Sequence, residues 1–551
     1  MRKRLRAIDL YSGVGGWALG LRLAGIEVVA SYEHWGLANE TNFKNNRHQA
    51  QTADVRRLAL DELPTDIDIV VGSPPCTQFS FSNRGGNGDI ADGLRDIVKF
   101  LTIVDHLQPV AWAMENVPRV SKIIEHELRP GGRLRRFKHL NIVSRIVNME
   151  DFGLPQRRSR CIAGNFSFDL LRGYAGKTSK RTLGQVVESL ASDPVLDPIY
   201  GFALIKNDLR DHVTEDVLNA EEVRINSANK TIHPVYNSMP FPDRLDRSVR
   251  TITATCTRVS RESIVIRNVA GSAAFRRLTI RERASLQGFP VTFQFYGSTY
   301  GQKLRMVGNA IPPVFSYYMA QAFKGTSPDD VPTLTEQTAR LKLPATPAMD
   351  ARPDRPGAHY PTDRKFRFAI PSLRLKSGVR FELVNVFERD HQGWEVNFYF
   401  GSSKSIHTLP LDKALLKRLM QRLPDSAKAR IGGTLAELAD FVTAADIARM
   451  QGIWSHKGLG RTTPFMLLDK LDESGARLVE LLNEHKLHAE ALIAKTVGAH
   501  YSNSRKKPVG VAKLVRNAPL ILSGLLVGSM ANVGLGMVAT ISATRRRPTS
   551  T

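Results

Sequence analysis

Cysteine is scarce in this chain: Cys76, Cys161 and Cys256 are the only three in 551 residues. No two of them stand at metal-ligand spacing, and a small odd number excludes a disulfide framework, so a reducing compartment and no bound metal are expected. Acidic residues are also in short supply. Asp and Glu total 53 against 77 Lys and Arg, giving a formal net charge of +24 and a pI near 10.1. That balance suits a polyanion binder, with ribosome-associated and membrane-surface proteins as alternatives. Export is not expected either, because Asp9 and a glycine turn interrupt the apolar stretch after Met1-Arg2-Lys3-Arg4. Long hydrophobic runs are absent apart from 518–544, which carries no charge and is flanked by Arg516 and Arg545-Arg546-Arg547. Its length would span a bilayer. Asn532 and the small residues Gly524, Ser529, Gly534, Gly536 and Ser542 dilute its hydrophobicity, so a buried helix or glycine-rich core element is favoured over a membrane span.

The residues that are present point to chemistry. Cys76 sits in Gly72-Ser73-Pro74-Pro75-Cys76-Thr77-Gln78-Phe79-Ser80, directly after the apolar run Ile67 to Val71. A thiol on a rigid turn is a candidate nucleophile, although a lone cysteine is more often an inert buried residue. Upstream, Ile8-Asp9-Leu10-Tyr11-Ser12-Gly13-Val14-Gly15-Gly16 reads as a strand entering a glycine turn, and Trp17 to Ala24 as the helix after it, the opening of a doubly wound sheet. Glu33 follows a second apolar run, Val28 to Tyr32, and Asp54 follows a third segment. Carboxylates at those strand ends suit ribose hydroxyls and an adenine amino group. Val110 to Met114 reads as a buried strand delivering Glu115-Asn116-Val117-Pro118 to the same edge, and Gln156-Arg157-Arg158-Ser159-Arg160 follows a further loop. Taken singly, each has a plain alternative: a solvated strand-end carboxylate, or a wet basic face.

Two further segments complete a series, Arg277-Leu278-Thr279-Ile280-Arg281-Glu282 through Leu286-Gln287-Gly288-Phe289-Pro290, and Val307-Gly308-Asn309-Ala310-Ile311-Pro312. In this order the chain resembles the cytosine-C5 DNA methyltransferases from about Ala7 to Ala322. The resemblance implies that Tyr11, Ser12, Gly13, Gly15, Gly16, Glu33, Asp54, Pro74 and Asn309 hold S-adenosylmethionine. It makes Cys76 the nucleophile, sets Glu115, Arg158 and Arg160 around the target base, and packs the Gly-Asn-Ala-Ile-Pro segment against the cofactor side. Tyr11 stands where the family usually has Phe, and little consequence is expected of the change. Because the thiolate is the attacking form, Arg158 and Arg160 are expected to favour deprotonation of Cys76. A base inside a duplex must be flipped out to reach that thiol, and Ser80 to Gly93, with Gly85, Gly86, Gly88 and Gly93, has the composition of a hinged loop that closes over it.

The implied fold class is α/β: a Rossmann-like S-adenosylmethionine-dependent methyltransferase sheet with an inserted target-recognition region, followed by an α+β C-terminal domain. The expected parts are 1–168 and 266–325 for the catalytic domain, 169–265 for target recognition, 326–365 for a Pro-, Ala- and Thr-rich linker, and 366–551 for an accessory domain. Within the insert, 226–241 and the strand-like Arg250 to Thr255 could meet the major groove. In the accessory part, Phe366 to Leu411 alternates like a small antiparallel sheet, Ala476 to Ala494 is helical, and Arg505-Lys506-Lys507 is a further basic run. The resemblance implies double-stranded DNA as partner, a cognate restriction endonuclease as a second one, and a cytoplasmic, nucleoid-associated location. Transfer-RNA cytosine methylation and a catalytically inactive DNA-binding regulator are the alternatives.

Overall fold

The computed structural model describes residues 4–79, 88–209, 215–231, 239–268, 273–352, 366–375, 379–388, 391–402, 405–447, 450, 463–501 and 511–544. Two compact units emerge: Met1–Leu218 with Pro240–Asp354, and Asn219–Met239 with Arg355–Thr551.

The first unit is organised by β1 (Arg6–Leu10), β2 (Glu27–Glu33), β3 (Ala50–Thr52), β4 (Ile69–Gly72), β5 (Ala111–Asn116), β6 (Val143–Asn148) and, after the short β7 (Gln156–Arg157), β8 (Ser159–Gly164). Seven of these form one sheet in the order β3-β2-β1-β4-β5-β8-β6. The first five strands run parallel, and β8 runs antiparallel to both its neighbours. Every residue of β4 and β5 is buried, which is why Ile69 to Val71 and Ala111 to Met114 read as unbroken apolar runs. Alternate residues feed two cores on opposite faces: Ala7, Val71 and Ala113 on one, Ile8, Val70 and Trp112 on the other. Each large side chain so buried contributes about 1.5–3 kcal/mol. The helices α1 (Gly16–Leu23), α2 (Gly36–Asn46), α3 (Ile90–Leu107) and α4 (Arg119–Glu127) follow β1, β2, β4 and β5 respectively, the last three after intervening loops or, for α3, after residues outside those described.

Strand order reverses between β1 and β4, the switch point where doubly wound sheets hold ligands at the carboxyl ends of their strands. Leu10 is in register with Tyr32 and with Gly72, and Gly72 with Met114. The sheet therefore brings the Tyr11 turn, Glu33, the Cys76 turn and Glu115 to one edge, and antiparallel β8 returns Arg160 to the same end.

The expected Ser80 to Gly93 loop is shorter than its glycines suggested. Residues 80–87 lie outside the described residues, and Asp89 accepts from the Asp92 amide (3.0 Å), starting α3 at Ile90. Gly93 is thus inside a helix, packed on the Phe79 ring where a Cβ would not fit.

The chain continues through α5 (Phe168–Gly173), α6 (Leu183–Ala191), the paired β9 (Val195–Leu196) and β10 (Ala203–Leu204), and α7 (Ala220–Thr231). Next come β11 (Val249–Arg250), paired parallel with β7, then β12 (Val265–Arg267) with β13 (Phe275–Arg277), and the helices α8 (Ile280–Leu286), α9 (Tyr300–Asn309) and α10 (Pro313–Phe323). Two expectations for the insert change. Helix α7 groups with the second unit, where Arg224 pairs with Asp469 and lies over the Phe465 ring at 5.4 Å. Arg250 to Thr255 is strand only at Val249–Arg250, and Arg250 is bound to Asp243 and to the Ser263 carbonyl rather than held out towards a groove. Part of 226–241, part of the linker and the basic run 505–507 lie outside the described residues.

The second unit contains an antiparallel sheet of β14 (Arg367–Leu375), β15 (Val379–Glu388), β16 (His391–Ser402) and β17 (Ser405–Leu409), as the alternation indicated. Helices α11 (Lys413–Gln421), α12 (Asp425–Ala444), α13 (Pro464–Asn483), α14 (Lys486–Tyr501) and α15 (Val511–Arg516) precede α16 (Ala518–Thr544). The helical stretch Ala476 to Ala494 spans the break between α13 and α14. The uncharged segment is the central helix of this unit: 78% of its most apolar window is buried inside the protein. Gly524 packs on Phe381 and Gly528 on Leu411 and Val396, while the Ser523 hydroxyl donates to the Gly475 carbonyl at 2.8 Å. Asn532 accepts from the Val396 amide (2.7 Å) and donates to the carbonyls of Val396 and Leu411 (3.0 Å each). These contacts explain the small and polar residues that weakened the membrane reading. Replacing Asn532 with Leu is expected to destabilise the detergent-free full chain by about 2 kcal/mol or more in chemical denaturation, since backbone groups of two segments lose their partner; a lipid-facing helix would gain or be indifferent.

Candidate active site

The turn after β1 is shaped by three residues with positive φ: Tyr11 (54°), Gly13 (53°) and Gly15 (86°). For Tyr11 this left-handed pose costs roughly 1–3 kcal/mol, so something must hold it. The Gly13 amide donates to Glu33 Oε2 (3.0 Å), and the Trp35 amide to Glu33 Oε1 (2.9 Å), which fixes a buried carboxylate beside the turn. The Ser12 hydroxyl is buried without a hydrogen-bond partner, and the space where a Gly13 Cβ would lie is open. A backbone amide turn, an orphaned hydroxyl and an oriented carboxylate fit the polar groups of S-adenosylmethionine. On the far side Gly15 is packed against Asn42 and Asn46, and Asn46 donates to the Gly15 carbonyl at 3.1 Å. Gly16 abuts Ile311, which joins the Gly308 to Pro312 segment to this turn, whereas the Asn309 side chain is exposed at the end of α9. Asp54 is half exposed and caps the next turn by accepting from the Arg56 amide (3.0 Å); its neighbour Ala53 donates to the Glu33 carbonyl (3.0 Å).

Cys76 is partly buried on the turn after β4. Two residues that sequence reasoning passed over set that turn. Asn116 donates to the Pro74 carbonyl (3.0 Å), and Trp17 donates from its indole to the Ser73 hydroxyl (3.1 Å). Asn116 stands immediately after Glu115, and that adjacency was the available signal. Glu115 is buried and ion-paired with Arg160, Nε to Oε1 at 2.9 Å. Arg158 is fully buried and donates to the carbonyls of Ile252 (3.4 Å), Gly308 (3.1 Å) and Ala310 (3.2 Å). Burial first, then the Arg160 charge, lower its pKa to about 9. Its guanidinium is thus committed to the protein backbone rather than held open towards a base. Gln156 and Gln287, also overlooked, extend this junction: Gln156 accepts from the Ile252 amide (2.8 Å) and donates to Gln287, which donates to the Ala310 carbonyl (2.6 Å).

The electrostatics revise one expectation. Arg160 and Arg158 do pull the Cys76 pKa down, but burial, followed by the Glu115 charge, outweighs them and pushes the thiol above its ordinary value. Burial thus favours the thiol form of Cys76 in the resting site. Cys161 is an inert contrast on β8, buried and pushed to about 12. Among the described residues no group of three or more His, Cys, Asp or Glu is placed to bind a metal.

A family model described as C-5 cytosine-specific DNA methylase matches residues 5–325. The chain is 27% identical over 337 residues to the type II methyltransferase M.FnuDI of Fusobacterium nucleatum, covering 59% of this chain and 96% of that protein. It is 28% identical over 344 residues to the type II methyltransferase M1.HphI of Haemophilus parahaemolyticus, covering 58% and 86%. The solved structure of the S. pombe Dnmt2 methyltransferase is similar at 19% identity and a TM-score of 0.43, covering 59% of this chain and 99% of that one.

The raised thiol pKa has a direct readout. Alkylation of Cys76 by iodoacetamide, followed by mass spectrometry, is expected to accelerate with pH to a midpoint above that of an ordinary thiol. Glu115→Gln removes a charge that raises the pKa and should shift the midpoint down. Arg160→Met removes one that lowers it and should shift the midpoint up.

Proposed function

From a chain that belongs to the C-5 cytosine-specific DNA methylase family, we infer an enzyme that transfers a methyl group from S-adenosylmethionine to carbon 5 of a flipped-out cytosine in duplex DNA through a covalent bond from Cys76. The observation that carries this reading is the meeting of Cys76, Glu115 and Arg160 at the sheet edge that also presents Ser12, Gly13 and Glu33.

Carbon 5 of cytosine is a poor nucleophile until something adds at carbon 6. Once deprotonated, the Cys76 sulfur forms a bond to carbon 6, and the electron pair of the 5,6 double bond makes carbon 5 enamine-like. Glu115 accepts from the 4-amino group, and the proton that Cys76 gives up passes through water to the contact between Glu115 and ring nitrogen 3, where it neutralises the negative charge that develops on the ring as sulfur adds. Arg160 holds the Glu115 carboxylate in place and adds positive charge beside the sulfur. Arg158 acts on the same charge from its buried position. The bound cofactor, held by the Ser12-Gly13 turn and Glu33, supplies an electrophilic methyl. After carbon 5 is methylated its proton leaves to water, the electron pair reforms the double bond, and Cys76 departs as thiolate. Unstacking the target base costs roughly a few kcal/mol, which contacts to the flipped base must offset.

The names of the relatives motivate the biological setting: a modification enzyme paired with a cognate restriction endonuclease, acting on the nucleoid in the cytoplasm. Residues 355–551 carry 30 Lys and Arg against 16 Asp and Glu, which supports DNA contact by the second unit as well.

The test is transfer of labelled methyl from S-adenosylmethionine to duplex DNA, with transfer RNA and Cys76→Ala in parallel. Cys76-dependent labelling of DNA is expected, with Glu115→Gln slower by about 10²–10³-fold. Labelling of RNA alone would replace the substrate, and labelling by Cys76→Ala would overturn the covalent mechanism.

A further inference from the structure

The Tyr11 hydroxyl, expected to matter little, is not idle. It donates to Asp96 Oδ1 (3.2 Å) and to the Asp96 carbonyl (3.4 Å) on α3. Asp96 is buried and cannot stand as an isolated charge; Arg56 meets it with two bonds, Nε to Oδ1 at 2.7 Å and Nη2 to Oδ2 at 2.6 Å. The same guanidinium reaches one turn back along α3, donating to Asp92 Oδ1 (2.9 Å) and to the Asp92 carbonyl (3.0 Å). Arg56 is also the residue whose amide Asp54 caps. One side chain thus joins the Tyr11 turn and the Asp54 turn to the start of α3. That helix start leads to the nucleophile through few bonds: Asp89 caps Asp92, the Asp89 amide donates to Gln78 Oε1 (2.9 Å), and Gln78 is two residues beyond Cys76.

We propose that Tyr11, Asp96 and Arg56 form a latch that holds the Tyr11 ring in its left-handed pose at the S-adenosylmethionine site and ties that site to the helix following the nucleophile. Asp96 and Arg56 are then positioning residues for cofactor binding, and the latch rests on the functional reading above. Without the tether the cost of the left-handed pose is less well offset, so the ring is held less firmly beside the turn. The tether is specific to the hydroxyl, because phenylalanine fills the same space and leaves the Asp96–Arg56 pair intact.

Calorimetric titration of the purified full chain with S-adenosylmethionine and with S-adenosylhomocysteine tests this. Tyr11→Phe is expected to weaken both ligands about three- to tenfold, the worth of one hydrogen bond. Asp96→Ala, which removes the side-chain acceptor, should do at least as much, and the double variant should lose less than the sum of the two, since both remove the same side-chain contact. In turnover, KM for the cofactor should rise while KM for duplex DNA does not, a split that general loosening of the fold would not give. Wild-type affinity in Tyr11→Phe would overturn the latch, as would additive losses or an equal rise in both KM values. Failure of the wild-type chain to bind either ligand would overturn the functional reading, and the latch with it.

Discussion

A single buried cation ties the catalytic unit together. Among the described residues no carboxylate touches Arg158; its guanidinium is held by the carbonyls of Ile252, Gly308 and Ala310, three groups from two segments 56 residues apart in sequence. Stranding such a cation in the interior is costly, and burial accordingly depresses its pKa. The backbone therefore has strong reason to stay where those carbonyls point. Gln156 and Gln287 repeat the device with neutral amides between the same segments. Gly308 completes it, for it lies so close to Thr253 and Ala254 that no side chain would fit. The turn at Gly16 touches Ile311, so the grip extends from Arg158 to the cofactor side.

Much of this unit was legible because parallel strands advertise themselves. Strands buried on both faces are largely apolar, and the residues at or just past the end of the run are presented at the sheet edge, which is how Glu33, Cys76 and Glu115 could be set beside the Tyr11 turn before any coordinates. Partnerships were not legible. The sequence shows Arg158 and Arg160 two residues apart, with nothing to say that one would sit between β7 and β8 bound to three carbonyls and the other on β8 facing Glu115. Composition misled at Gly93, where a capping Asp89 outranks a glycine-rich neighbourhood, and at α7, whose Arg224 finds Asp469 hundreds of residues away. The uncharged helix α16 is a further case. Length and flanking charge suit a bilayer, but Asn532 and the glycines make sense only against Val396, Leu411 and Phe381, contacts that no local pattern encodes.

A raised Cys76 pKa suits an enzyme whose one partly exposed cysteine must survive between turnovers. A thiolate at rest is open to oxidation and to stray electrophiles, and burial with Glu115 nearby suppresses it. The arrangement also bears on when the thiolate forms. Arg160 is close enough to favour it, but at 2.9 Å from Glu115 its field at the sulfur is opposed by the carboxylate it holds. In the proposed mechanism the proton that Cys76 gives up comes to lie between the cytosine ring nitrogen and Glu115, which diminishes that opposing charge without moving either arginine. Desolvation still works against the thiolate, while the balance of nearby charge turns in its favour. In the proposed mechanism, then, capture of the base by Glu115 and activation of Cys76 are one electrostatic event: the nucleophile becomes available when the atom it attacks is in place, and the Glu115–Arg160 pair is what couples the two.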